Sequence, residues 1–182
     1  MTNPVSQWRV EHAYFRRLLA LLRRELDVFH EAERPDYALI HDILSYLGDY
    51  ADSFHHPRED VAFERLVRHC PDLRLTLARL RQDHRVISGI GTELLAQVEL
   101  ILEGAIVPRA RIEAQIATYL AYYGSHIACE EDVILERAGE VLTAQDWSAV
   151  IAAVPPVGDP VFGPDPASRF RNLRHQIAVE AG

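Results

Sequence analysis

Thiols are scarce in this chain. Its two cysteines, Cys70 and Cys129, stand far apart and form no CxxC motif. Neither a disulfide framework nor a thiolate metal site has support, and a reducing cytoplasm is the expected setting. No run of about 18 apolar residues occurs, so no membrane span is expected. The opening MTNPVSQWRV lacks an apolar h-region and a small-residue cleavage site, so no signal peptide is expected either. Positive charge is outnumbered, 19 Lys and Arg against 27 Asp and Glu for a net charge of −8, which argues against nucleic acid as a partner. The arginines (Arg16, Arg17, Arg23, Arg24, Arg79, Arg81, Arg85) are interleaved with acids, the pattern of solvated helix faces. Strand-like alternation, a phosphate loop and a nucleophile–base arrangement are all missing, so hydrolytic and nucleotide-dependent chemistry have no motif to rest on.

In bulk the chain is ordinary. With 182 residues, 48% apolar and 25% charged, it fits a soluble domain with one sizeable core. One count is out of line: there are nine histidines. Where they fall decides the reading.

Four long amphipathic segments, punctuated by proline, carry helical periodicity. The first runs from about Val5 to Glu31 through Trp8, Phe15, Leu19, Leu22 and Leu26. The second opens at Pro35 and Asp36 and continues to about Cys70. After Pro71 the third runs from about Leu73 to Glu103 along Leu77, Leu80, Ile87, Leu94 and Val98. Gly104 and Pro108 mark the next break, and the fourth continues to about Ala138 through Ile112, Ile116, Leu120, Ile127 and Ile134. Joined by short loops, these predict an all-α, up-down-up-down four-helix bundle over residues 1–140. Residues 141–182 read as an appendage. A short helix capped by Thr143, with Asp146 three residues on, precedes the proline-rich PPVGDPVFGPDP. Val157, Val161 and Phe162 make that stretch too apolar for a free linker, so it should lie along the bundle. The last residues read as a helical turn or two or as a frayed end.

The histidines repeat. Glu11-His12 recurs as Asp83-His84, and HHPRED from His55 recurs as HIACEED from His126, each about 70 residues later. Both copies of the longer motif hold His-x-x-x-Glu and then a second acid: His55, Glu59 and Asp60, then His126, Glu130 and Glu131. Residues four apart share a helix face, so one imidazole and one carboxylate can reach the same metal or two adjacent ones. At about 100° per residue, His12 and His84 fall in or near the apolar stripes of their helices. Glu130 falls in the middle of the face bearing Ile116, Tyr123 and Ile134, with His126 at its edge. Burying two carboxylates without a cation costs several kcal/mol each or forces them neutral, and a pair of divalent metals offsets that cost. Four imidazoles and two carboxylates suit iron or manganese at least as well as zinc. Six ligands, with carboxylates able to bridge, argue for two metals. Ferritin-like di-iron bundles use Glu-x-x-His instead, the reverse order at a different spacing.

EHAYFRRLL, FHHPRED, DHR and HIACEED, in that order on four helices, resemble the hemerythrin-like family of HHE cation-binding domains over about residues 5 to 138. The resemblance implies a bundle holding an oxo- or hydroxo-bridged di-iron centre, with manganese or zinc as substitutes. Carried over, the histidine ligands are His12, His55, His84 and His126, and Glu59 and Glu130 bridge the irons. The oxygen-carrying members place another histidine four residues after the one on the third helix, where this chain has Ser88. The chain is therefore more similar to the four-histidine, two-glutamate branch, which includes proteins that repair nitrosative damage to iron centres.

Other residues compete for attention. His56 and Asp60 form a second i, i+4 pair, but His56 lies far in phase from the stripe of Ile40, Leu44, Leu47, Ala51 and Phe54, so His55 is preferred. His56 is left to orient a ligand or to face solvent. His41 is about 20 Å along the helix from His55, too far to share its metals. His30, His69 and His175 sit near helix ends or in the tail. Cys129 and Tyr119, Tyr122 and Tyr123 read first as packing residues. Pro57 predicts a local irregularity in the second helix. Two functions are compatible with this pattern. One is a di-iron protein that binds or reacts with O₂, peroxide or NO in sensing, detoxification or iron-centre repair. The other is a non-catalytic module in which metal staples the bundle and the outer surface binds a protein partner. The apolar tail could then dock on a second subunit, which leaves a homodimer open.

Overall fold

The computed structural model describes residues 4–31 and 33–180, and among these every regular element is helical. Helix α1 spans Pro4–His30. Helix α2 covers 37–69 in three parts: an α-helical Tyr37–Tyr46, a π-helical Leu47–His55 and an α-helical His56–His69. A single 3₁₀ turn at Pro71–Leu73 leads into α3, Arg74–Leu102. Helix α4 covers 109–141, again in three parts: Arg109–Cys129, a π-helical Glu130–Ile134, and Leu135–Val141. Two ten-residue helices follow, α5 at Ala144–Ala153 and α6 at Arg171–Glu180.

The boundaries reflect local chemistry. Asp36 caps α2 by accepting a 3.0 Å bond from the Leu39 amide, which satisfies a donor the helix itself leaves orphaned. At the end of α3, Gly104 adopts φ +92°. The amides of Gly104 and Ala105 then bond back to the carbonyls of Ile101 and Leu100, the paired closure that an αL glycine permits. Thr143 and Asp146 exchange side-chain-to-backbone bonds to form the capping box that opens α5.

Connections this short force neighbouring long helices to run antiparallel. Helix α1 packs on α2 and α4, and α3 packs on α2 and α4, which closes the ring of a four-helix bundle. Helix α5 lies on the last segment of α2 and joins α1 through an edge-on contact of Trp147 with Trp8, 5.5 Å between centroids. The proline-rich stretch contacts α1 and α2. Val161 is buried, Phe162 stacks on Tyr14 at 4.0 Å, and Asp159 accepts a 2.8 Å bond from the Tyr46 hydroxyl. Helix α6 is longer than the turn or two expected, because Phe170, Leu173 and Ile177 supply a buried stripe that docks on the first segment of α2.

The core is divided. One apolar cluster gathers Phe15, Leu22, Ile40, Leu44, Leu94, Ile116 and Tyr119 among others. The second gathers Val5, Trp8, Phe63, Leu66, Leu77, Leu80 and Ile134. In each long helix the histidine and glutamate positions of the repeat fall between residues of the two clusters. A polar layer therefore cuts the bundle core, fully enclosed above and below.

Candidate metal centre

The polar layer contains all six residues singled out from the repeat, and all are buried: His12, His55, Glu59, His84, His126 and Glu130. Each is held by the helix that carries it. His12 is two turns into α1. His55 is the last π-helical residue of α2, and Glu59 sits one α-turn later. His126 lies in the last α-turn before the second π segment, which Glu130 opens. Both His-x-x-x-Glu pairs thus adjoin a stretch where bonding shifts from i−4 to i−5. The His56 amide bonds to Ala51 and the Leu135 amide to Glu130. Such insertions occur often at functional sites.

The irregularity expected from Pro57 lies just before that residue. Pro57 stands in the first turn of the resumed α-helix, where its missing N–H is least costly. The wider π turn also shifts the phase of the residues after it. A regular 100° helix leaves His56 far from the inner face, yet His56 is only 3% exposed.

The geometry divides into two pairs that share both carboxylates. Nε2 of His12 and Nε2 of His55 lie 3.1 Å apart. Nε2 of His84 and Nε2 of His126 lie 3.0 Å apart. Glu59 aims Oε1 at the first pair, 3.4 Å from His12 and 3.1 Å from His55, and Oε2 at His84, 3.6 Å away. Glu130 does the converse, with Oε1 3.1 Å from His126 and 3.6 Å from His84, and Oε2 3.4 Å from His12. Each glutamate places one oxygen at each histidine pair.

Three of the four outer ring nitrogens face a second set of carboxylates, and Nδ1 of His126 is buried without a partner. His12 Nδ1 lies 3.2 Å from Glu131, which Arg16 holds at 2.7 Å through both oxygens. His55 Nδ1 lies 2.5 Å from Glu11, which also accepts bonds from Tyr50, Gln7 and Arg58. His84 Nδ1 lies 3.0 Å from Asp60. Asp60 therefore orients a histidine instead of competing with Glu59 for the centre. Glu11, Glu131, Arg58 and Tyr50 were not singled out as site residues from the sequence. Glu11 and the second acids were visible inside the repeated motifs, but the helix each would reach was not. Arg58 and Tyr50 carried no signal of their own.

These contacts fix what the inner cavity offers. An ionised carboxylate only accepts, so each Nδ1 beside one carries the hydrogen and each Nε2 of a neutral ring presents a lone pair. His12 and His55 then bring two lone pairs within 3.1 Å, with carboxylate oxygens beside them. Both oxygens of Glu59 and of Glu130 are buried without a hydrogen bond, and both residues are 0% exposed. With its rings neutral the cavity is lined by acceptors and suits a cation, and the donor set of imidazole nitrogen and carboxylate oxygen fits a borderline or hard divalent metal. Ligand atoms of His12, His55 and Glu59 all lie within 4.8 Å of one another.

The electrostatics agree. Burial pushes His55 down, but Glu59 and Glu11 outweigh it and hold the ring up at about 9. Burial likewise lowers His84, and Asp60, Glu130 and Glu59 outweigh it to raise the ring to about 10. Burial and the charge of Glu59 push Glu130 up, while His126 and His84 pull it down to about 2. The site demands positive charge, and protons or metal ions can meet that demand.

The remaining candidates lie elsewhere. His41 is half-buried beside Asp42 and Glu99. His30 pairs with Glu113 and His69 with Asp146, and His175 is exposed on α6. Cys129 is a half-buried free thiol that burial pushes upward, so it stays protonated. Tyr119 and Tyr123 are buried and Tyr122 is exposed; the Tyr123 hydroxyl reaches His56 at 3.5 Å.

Among known proteins, the hemerythrin HHE cation-binding domain matches residues 3–138 of the chain. No curated protein and no solved structure matches it significantly.

Proposed function

Because the chain belongs to the hemerythrin HHE cation-binding family, we propose that its bundle is a non-heme di-iron protein that binds or reacts with O₂, peroxide or NO, in sensing, detoxification or iron-centre repair. The observation that carries this reading is the sharing of Glu59 and Glu130 between the His12–His55 and His84–His126 pairs. Glu59 and Glu130 would hold two ions between the histidine pairs, which would satisfy all four orphaned oxygens at once. The ligand set is then His12, His55, His84, His126, Glu59 and Glu130, with manganese or zinc as substitutes in the same donors.

When bound, iron supplies the redox capacity and Lewis acidity that reactions with O₂, peroxide or NO require. The chain supplies the rest. Glu11, Glu131 and Asp60 hold three imidazoles in the tautomer that turns Nε2 inward. The apolar clusters on either side of the polar layer exclude water and keep the dielectric low. A cavity of about 670 Å³, lined by Asp60, His84, Ser88 and Thr92 among others, opens beside the His84 side of the layer. It supports the approach of small molecules there. The free cysteines suit a reducing cytoplasm. Val161 and Phe162, which suggested a docking tail, are occupied within the chain.

Anaerobic reconstitution with ferrous ion tests the proposal. Iron content near two per chain and a spectral change on adding O₂, peroxide or NO are the expected results. Loading below about one iron per chain would overturn it, since binding of this kind is coupled to the folded ligand set. Full loading with no response to any of the three reagents would favour a structural metal instead.

A further inference from the structure

A further imidazole, His56, has a ring nitrogen within ligand range of His84, His126 and Glu59. We infer that His56 is a fifth imidazole ligand, donating Nε2 to the metal held by His84 and His126, so that the two metals of the proposed centre have unequal ligand sets. The inference rests on the di-metal reading and sharpens it.

Two observations converge. First, one ring nitrogen of His56 joins ligand atoms of Glu59, His84 and His126 in a group whose members all lie within 4.8 Å of one another. A cation bonded at about 2.1 Å spaces its donors about 3 to 4.2 Å apart, so this group closes on one ion by contraction and ring rotation. Second, His56 has the same polarity as His12, His55 and His84. Its Nδ1 lies 3.0 Å from Asp52 one turn earlier, close but out of line for a full hydrogen bond. This matches His12 beside Glu131, His55 beside Glu11 and His84 beside Asp60. With Nδ1 turned to a carboxylate, Nε2 is left for the centre, and its one contact, the Tyr123 hydroxyl at 3.5 Å, is weak. The ring lies near-parallel to His84 at 4.3 Å and 13° and meets His126 edge-on at 5.7 Å, so one of the two stacked rings must rotate for both lone pairs to reach one ion.

The π segment of α2 makes this arrangement possible. It brings adjacent residues His55 and His56 inward together, one toward each histidine pair. On α3, the small Ser88 one turn after His84 lines the neighbouring cavity and puts no competing side chain of ligand type there.

The experiment compares wild type, His56→Ala and Asp52→Asn after anaerobic loading with ferrous ion. X-ray absorption of the loaded wild type should fit five imidazoles over two irons, and Mössbauer spectra should show two inequivalent sites. His56→Ala should bind its second iron at least about 10-fold more weakly, as loss of even an outer partner commonly costs 10- to 100-fold. Added imidazole should restore that binding. Asp52→Asn should weaken the same iron and leave the first unaffected. Circular dichroism checks folding; if His56→Ala unfolds, the wild-type spectra decide alone. Four imidazoles over two equivalent irons, or unchanged second-site affinity in a folded His56→Ala, overturns the inference while leaving the di-iron reading intact. A wild type that takes up no metal overturns both.

Discussion

His12 and His55, 43 positions apart in the chain, bring their Nε2 atoms to 3.1 Å with a carboxylate behind each ring. Nitrogens so oriented oppose lone pair to lone pair unless a proton or a metal ion lies between the rings. His84 and His126 bring their Nε2 atoms to 3.0 Å in the same way, with Asp60 behind His84 only, so the protons or metal ions held in the layer should govern stability.

Removing one shared carboxylate should therefore empty both sides. Glu59→Ala takes an oxygen from each histidine pair, so iron content should fall by more than the one ion that a one-sided ligand would cost. Iron per chain after desalting measures this, with His12→Ala as the comparison expected to lose mainly one ion. Retention of one full iron in Glu59→Ala would refute the sharing.

Metal should stabilise the fold by linkage. A ligand that binds only the native state adds about 2.7 kcal/mol at 100 times its Kd, for each site. Chelation should lower the denaturant midpoint and the Tm, and readdition of Fe²⁺ should restore both. A midpoint that chelator does not move would argue that the layer holds no metal.

The pH dependence has a definite sign in the metal-free protein. His55 and His84 are raised to about 9 and 10 from 6.5. Their contribution is full below about 6.5 and is lost as pH rises through 9 and 10. Glu130 is lowered to about 2 from 4.5, so its contribution is full above about 4.5 and is lost as pH falls toward 2. Metal-free Tm should peak between about pH 4.5 and 6.5 and decline toward pH 9. Metal competes with the same protons, so the gap between loaded and metal-free Tm should widen as pH rises. A gap that narrows would contradict the assignment.

Glu11 should matter twice. Glu11→Gln leaves the His55 ring poorly oriented and should weaken iron binding by about 10- to 100-fold. It also leaves the nearly buried Arg58 without its carboxylate, and unpairing a buried charge typically costs about 3–5 kcal/mol. Urea unfolding of the metal-free variant separates the second effect from the first.

The α5 cap offers a contrast. Thr143→Ala removes the side chain that receives the Asp146 amide and should cost about 1 kcal/mol. Iron content should be unchanged, because nothing in that cap touches the polar layer.

Pattern along the chain was enough to specify the bundle and the inner six residues. A 3.6-residue apolar period sets the helices and their inner faces, and four-residue spacing places His55 with Glu59 and His126 with Glu130 on one face wherever the helix is regular. The duplication then made the set visible against nine scattered histidines. The partners of those six depend on the assembled bundle. Nothing local in Glu131 says that it meets His12, 119 residues away, or that Asp60 turns to His84 instead of the centre. Those contacts arise from how four helices are rotated against one another. The same holds for His56, which regular helical phase turns outward and which the π segment before Pro57 turns in. A π turn is a compromise between backbone bonding and the packing of side chains on several helices at once, so its position is set by the assembled core and not by the residues that adopt it.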